Sequence, residues 1–329
     1  EICACLVGSE MCIRDSLYMG LIEKIKRMSP KVAFEYYNKC NFFNPLMSYW
    51  YAICPFLKQY GVSRHKAVLD YLSNSRGGVN ELIEKYNDYL PKEEKMITDD
   101  CPIWVMWWQG FDNCPPIVRK CIGSVKRNAG KHPIFMLDKD NFREYIDIPK
   151  DIEDKIQNKV KCIAYLSDII RFGLLSTRGG IWLDATIYVS QPITSWPLSL
   201  YSIRHATADP RYVLDCFRWS SFMVAAAPHE VMPTFVYKAL LTYFTENDAL
   251  IDYFLTDYLI ATIYLNNKYV RKQIDTLPKD NLNCLELLMN LSKPYDKNRL
   301  DGMLKARKFH KLDWRYNITD ENSMFAYLE

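Results

Sequence analysis

The sequence predicts an α/β fold: a mostly parallel sheet flanked by helices, with a helical region ahead of it. Three observations carry this. Apolar runs at 103–108, 134–137 and 181–183 alternate with helical patterns, the strand, helix, strand order that builds parallel sheets. The second and third runs each end on an acid, Asp138 and Asp184. Gly179-Gly180 separates the last helical pattern from its strand, stopping the helix and freeing the backbone for a sharp reversal. Ligands of open α/β sheets sit at the carboxyl ends of the strands. Asp184 is therefore placed to meet a metal ion or a sugar hydroxyl.

Composition sets the bounds. The chain has 329 residues, 49% hydrophobic and 25% charged, enough for one large domain or two small ones with a sizeable core. A net charge of +3 is too modest for a nucleic-acid binder. Residues Glu10 to Ser16 resemble a translated sequencing adapter, so 1–16 are set aside as an artefact; the alternative is a genuine apolar extension. That segment carries Glu1, Glu10 and Asp15 against Arg14, net −2, which leaves +5 for the remainder. Three of the 11 cysteines fall in it, and the other eight show no Cys-x-x-Cys pair, so neither a zinc site nor a disulfide framework is expected. Scattered cysteines fit a reducing cytosol. The best apolar run, Leu46 to Leu57, is too short to span a membrane and is broken by Pro55.

Taken in order, 17–98 reads as a helical N-terminal region, a subdomain packed on the main sheet, with amphipathic patterns at 17–25, 33–39 and after Asn44-Pro45. Ser63 is the expected N-cap for a helix to Leu72, and a further helix covers 81–89. Lys24, Lys26 and Arg27 either hold this region against an anionic membrane or form a solvated face. The polar stretch 92–100 places the domain boundary at 98/99, leaving 99–329 as the main domain. Gln109-Gly110 closes the first strand. Pro115-Pro116 opens a helix that buries Ile117, Val118, Cys121, Ile122 and Val125. A short helix at 141–145 follows the second strand. Ile163, Leu166, Ile170 and Leu174 then form one helical apolar face, with Asp168 and Arg171 displaced from it as an i, i+3 pair. Later strands are expected at 187–189, 200–203 and 219–227, and helices at 233–244 and 252–260. Asp257 is the one acid among apolar neighbours in the last of these helices.

The central stretch resembles the donor-binding segment of family 32 glycosyltransferases, and more closely the capsular polysaccharide synthesis proteins related to them. The shared pattern is Ser167-Asp168-x-x-Arg171, then Gly179-Gly180-x-aromatic-x-Asp184-x-Thr186, then Pro192. The resemblance implies a GT-A-like (Rossmann-like) domain that moves a sugar from a nucleotide-sugar donor to a saccharide or lipid-linked saccharide acceptor. It implies a hexosyltransferase that retains anomeric configuration, working in the cytoplasm or against the inner face of the cell membrane. It puts Gln109 near the base or ribose, where the alternative is a strand-end residue facing water. It puts Asp168 near a uridine-type nucleoside or the sugar and Arg171 near the diphosphate or sugar, where the alternative is an exposed ion pair. Gly180, Asp184 and Thr186 complete the donor-binding positions. Asp184 and Asp257 are the candidate catalytic acids. The resemblance also implies a divalent cation, Mn²⁺ or Mg²⁺, with Asp184 and a late-chain His310 as candidate ligands. The usual motif is Asp-x-Asp, and its second acid binds the metal. Thr186 stands there in this chain, a weaker and neutral ligand that puts metal dependence in doubt.

A basic cluster, Lys305, Arg307, Lys308, His310 and Lys311, either neutralises a leaving diphosphate or solvates a helix end. Ser220 and Ser221 either bind sugar hydroxyls or begin a strand. Thr186 also keeps open a catalytically degenerate nucleotide-sugar or polysaccharide binder. A nucleotidyltransferase would show a Gly-rich basic phosphate loop after the first strand, and 109–112 lacks one.

Overall fold

The computed structural model describes residues 61–74, 78–91, 93, 95–160, 162–194, 196–204, 218–248 and 250–329. The expectations for 1–60, including the adapter-like segment and the basic membrane-facing helix, lie outside the described residues.

Among the described residues two helices come first, α1 (Gly61–Asn74) and α2 (Asn80–Tyr86). Helix α1 begins two residues before Ser63, the expected cap. The alternating core follows: β1 (Ile103–Met106), α3 (Pro116–Asn128), β2 (Ile134–Leu137), α4 (Lys150–Lys155), α5 (Ile163–Thr177) and β3 (Gly180–Asp184). Then come β4 (Ile187–Val189), β5 (Leu200–Ser202), β6 (Met223–Ala226), α6 (Val231–Glu246), α7 (Leu255–Asn266), α8 (Lys268–Asp275), α9 (Lys297–Ala306) and β7 (Phe309–Lys311). Strand β1 is shorter than its apolar run, because the chain turns at Trp107 and Gly110 accepts a positive φ of 81°.

The main sheet has the order β2-β1-β3-β6-β5. Strands β2, β1 and β3 pair in parallel; β6 runs against β3 and β5 runs against β6. Four of the five strands therefore point the same way. Strand β4 does not join this sheet but pairs antiparallel with β7.

Side-chain alternation gives the sheet two packed faces. Trp104, Met106, Trp182 and Val224 face the core shared with α5, α6 and α7. Ile103, Val105, Ile181, Leu183 and Met223 face the core under α3, with Val118, Ile122 and Val125. Helices on both faces of a mostly parallel sheet give the expected layered α/β class. Val68, Leu72, Val79 and Tyr86 of α1 and α2 belong to the first of these cores. The chain thus crosses residue 98 without leaving that core.

Gly179 and Gly180 turn α5 back into β3, with φ of 66° and 106°. A Cβ on Gly180 would lie 2.3 Å from the Pro102 carbonyl oxygen, and one on Gly179 would lie 2.7 Å from Pro228. Only glycine fits either place.

Candidate functional site

Helix α5 and strand β3 run in opposite directions through that turn. The first half of the helix therefore lies beside the end of the strand. This brings Asp168 and Arg171 next to Asp184, and a cavity opens there at the carboxyl ends of β1 and β3. Its lining includes Asp168, Arg171, Asp184, Thr186, Ser221 and Asp257, with Trp107, Tyr165, Trp182, Tyr253 and Phe254 as aromatic walls.

Arg171 is the hub. Its Nη1 lies 2.7 Å from Asp168 Oδ1 and its Nη2 3.0 Å from Asp184 Oδ1. The guanidinium stands 5.1 Å over the Trp182 ring, a cation–π distance. Its side chain is 8% exposed, so the Asp168 pair is buried rather than the solvated pair that i, i+3 spacing alone allows. Its Nε is buried and has no hydrogen-bond partner among the described residues. Asp168 also accepts a hydrogen bond from Thr256 at 2.6 Å. Burial raises the Asp168 pKa, with Arg171 and Thr256 opposing it.

Asp184 receives Trp182 Nε1 on Oδ1 at 3.0 Å and Lys311 Nζ on Oδ2 at 2.9 Å. Burial alone would raise its pKa, but Lys311 and Arg171 together outweigh burial and hold the carboxylate below its ordinary value. Asp257 accepts one hydrogen bond from Trp219 Nε1 at 3.1 Å. Burial, with Asp168 nearby, pushes its pKa up to about 6. One cavity thus holds an acid kept ionised and an acid poised near neutral pH, the separation that acid–base roles require.

Six of the residues singled out by sequence, Asp168, Arg171, Asp184, Thr186, Ser221 and Asp257, share this lining. The others lie elsewhere. Gln109 is exposed on the turn after β1 and is not among the lining residues. Gly180 begins β3, at the opposite end of the strand from the cavity, and its role is the close approach to Pro102. Ser221 lines the cavity, but the Ser220 hydroxyl donates to the Ile203 carbonyl. His310 is fully buried with Nε2 3.1 Å from Ser190 Oγ, and burial drives its pKa down to about 3. The strand alternation of β7 sends His310 away from Asp184 and its neighbour Lys311 toward it.

Lys311 is the contact that sequence reasoning left undifferentiated within a basic cluster. Its Nζ lies 2.9 Å from both Asp184 Oδ2 and Thr186 Oγ1. Two other members of the cluster serve the fold: Arg307 pairs with Glu286 at 2.7 Å, and Lys308 donates to Thr194 at 3.1 Å. A divalent cation shared by Asp184 and the residue two positions on would have to sit where the Lys311 ammonium already bonds both side chains. The donor set present does not fit that ion. Among the described residues, no group of three or more His, Cys, Asp or Glu is arranged to hold a metal.

The fold and this cavity define a class: an α/β protein with an acid-, arginine- and aromatic-lined site at the carboxyl ends of its strands. Within that class, the chain belongs to the capsular polysaccharide synthesis protein family, whose model matches residues 55–328. It is 30% identical over 98 residues to an O-glycosyltransferase, braB, of Annulohypoxylon truncatum. That match takes in 27% of this chain and spans only 23% of the relative's length. Among solved structures it is similar to the PaToxG glycosyltransferase at 12% identity and a TM-score of 0.38, over 64% of this chain and 78% of that one. No helix among the described residues is long and apolar enough to cross a membrane.

Proposed function

We propose that this chain is a glycosyltransferase that moves a hexosyl unit from a nucleotide-sugar donor to a saccharide or lipid-linked acceptor in surface polysaccharide synthesis. The observation that carries the proposal is the convergence of Asp168, Asp184, Asp257 and Arg171 on one aromatic-walled cavity. Carboxylates accept hydrogen bonds from sugar hydroxyls, a guanidinium donates to phosphate or hydroxyl oxygens, and aromatic faces suit the apolar faces of sugar rings. A site at the carboxyl ends of parallel strands supports the GT-A-like reading. Family membership supports the polysaccharide pathway.

In this reading the bond between the anomeric carbon and the diphosphate oxygen breaks, and its electron pair leaves with the diphosphate. The acceptor hydroxyl oxygen forms the new bond to that carbon, and its proton passes to the leaving phosphate or to water. Asp184, fixed by three donors, orients the donor. Asp257, with a pKa of about 6, is suited to exchange a proton near neutral pH. Retention of configuration, as in the family 32 resemblance, is the expected stereochemistry. The expected location is the cytoplasm, peripheral to the membrane where a lipid-linked acceptor lies.

The test is hydrolysis across a panel of nucleotide sugars, comparing wild type with Asp184→Ala. Turnover by wild type that falls by about 100-fold or more in the variant supports the proposal. Equal turnover removes Asp184 from the site. A second reading is a degenerate nucleotide-sugar binder, favoured by the saturation of Asp184 with Arg171, Trp182 and Lys311. Donor binding with no turnover on any donor would establish it.

A further inference from the structure

We infer that Lys311 supplies, from within the chain, the positive charge for which an Asp-x-Asp motif recruits a divalent ion, so that the site holds its donor's diphosphate without added metal. The inference rests on the glycosyl-transfer reading above and names the cation that this reading needs.

Three observations lead there. First, the ammonium bridges the two motif side chains, at 2.9 Å from Asp184 Oδ2 and 2.9 Å from Thr186 Oγ1. The side chain is 2% exposed. Its backbone is held in register, with Lys311 opposite Ile187 in the β4–β7 ladder and Leu312 N donating to the Thr186 carbonyl at 2.9 Å. The charge is therefore built in and cannot swing away.

Second, the lysine sets what Thr186 can offer. Its hydroxyl oxygen already accepts from an ammonium, which leaves the hydrogen and a single lone pair for a ligand. Thr186 lines the cavity, where its hydroxyl hydrogen can donate to an anionic oxygen and its remaining lone pair, on a neutral oxygen that already accepts from a cation, is a poor metal ligand. An acid at 186 would do the reverse.

Third, Asp184 is bracketed by cations, Arg171 at 3.0 Å and Lys311 at 2.9 Å. An incoming divalent ion would meet two like charges on the one carboxylate it needs. An incoming diphosphate would meet Asp168 and Asp184 already paired with cations, with Lys311 set behind Asp184 and Thr186 and outside the cavity's lining, where its charge offsets the Asp184 carboxylate. A hydrogen-bonded, desolvated cation next to developing charge is an effective electrostatic stabiliser.

The experiment is calorimetric titration of the purified full chain with UDP, GDP and ADP, once in EDTA and once in millimolar Mn²⁺. The expected result is nucleoside diphosphate binding whose Kd agrees between the two buffers within about threefold, and which Lys311→Met weakens by about tenfold or more. The double variant Thr186→Asp/Lys311→Ala restores the second acid and removes the ammonium. It is expected to bind diphosphate only with Mn²⁺, a change that a merely structural lysine would not produce. Should Lys311→Met fail to fold by circular dichroism, Thr186→Val leaves the Asp184–Lys311 pair in place and is expected to weaken binding about tenfold with no metal rescue. Wild-type binding that appears only with Mn²⁺ overturns the inference and leaves glycosyl transfer standing. So does unchanged affinity in Lys311→Met or, where that variant does not fold, in Thr186→Val. Folded wild type that binds none of the three nucleotides in either buffer overturns both.

Discussion

At the scale of single residues, the two acids that differ in environment should differ in behaviour. Asp257 has a pKa raised from 3.8 to about 6 by burial. Well below pH 3.8 the carboxyl is neutral in both folded and unfolded states. As the pH rises from about 4 to about 6 the unfolded state ionises first, so the folded state loses relative stability across that window and does not regain it above. Two units correspond to about 3 kcal/mol, which the cavity's access to solvent reduces to about 1–2 kcal/mol. Asp257→Asn should therefore be more stable than wild type at pH 7 by that amount and no more stable at pH 4, measured by urea titration. Asp184 has the opposite sign. Its folded pKa is depressed, so its contribution is present above the unfolded carboxylate value and is lost as the pH falls through the lower folded one. Asp184→Asn, which leaves Arg171 and Lys311 without their shared counter-charge, should cost about 3 kcal/mol at pH 7 in the same experiment. Asp184 was legible from sequence because a strand end after a glycine turn is a place with a known use. Lys311 was not, because which side of a three-residue strand a lysine takes depends on a register set by β4, more than a hundred residues earlier. Without the ladder, the sequence singles out His310 as the candidate ligand and leaves Lys311 as one member of a basic cluster.

At the scale of elements, the α5–turn–β3 unit positions the site, and its glycines are the point of failure. Gly180→Ala places a methyl 2.3 Å from a backbone oxygen at a φ of 106°. Neither the Pro102 carbonyl nor the strand can move without breaking the parallel ladder between β1 and β3. The expected cost is about 2–4 kcal/mol, visible as a lower Tm, with donor binding lost in parallel because Asp184 moves with the strand. Most of this unit could be read directly: the helix face, its stop and the strand follow from apolar spacing and two glycines. The strand expected at 219–227 shrank to Met223–Ala226, because Ser220 spends its hydroxyl on Ile203 and the turn at 221–222 shapes the cavity rim. The run 187–189 was legible as a strand but not as half of a separate two-stranded sheet. Its partner carries no apolar alternation strong enough to mark it.

At the scale of the molecule, class and layer order were legible because strand and helix patterns alternate along the chain. So was a helical region packed on the sheet, but not which of its residues enter the sheet's core. A polar stretch at 92–100 suggests a boundary, yet Val68, Leu72, Val79 and Tyr86 lie in the same core as Trp104 and Trp182. Burying each such side chain contributes about 1.5–3 kcal/mol. A chain begun at residue 99 would uncover α6 and α7 where α1 and α2 pack. It should bind a hydrophobic dye and lose its cooperative thermal transition. A cooperative melt matching the full chain would show that α1 and α2 are dispensable.

The bond between Lys311 and Asp184 joins positions 127 residues apart. A polypeptide leaving the ribosome lays down its acid long before the base that answers it. Until β7 emerges and zips onto β4, Asp184 has Arg171 as its cation but lacks the second one that Lys311 brings. The cavity's charge balance is thereby completed only at the closing stage of synthesis, and a product cut short before that strand would lack the Lys311 contact to Asp184 and Thr186.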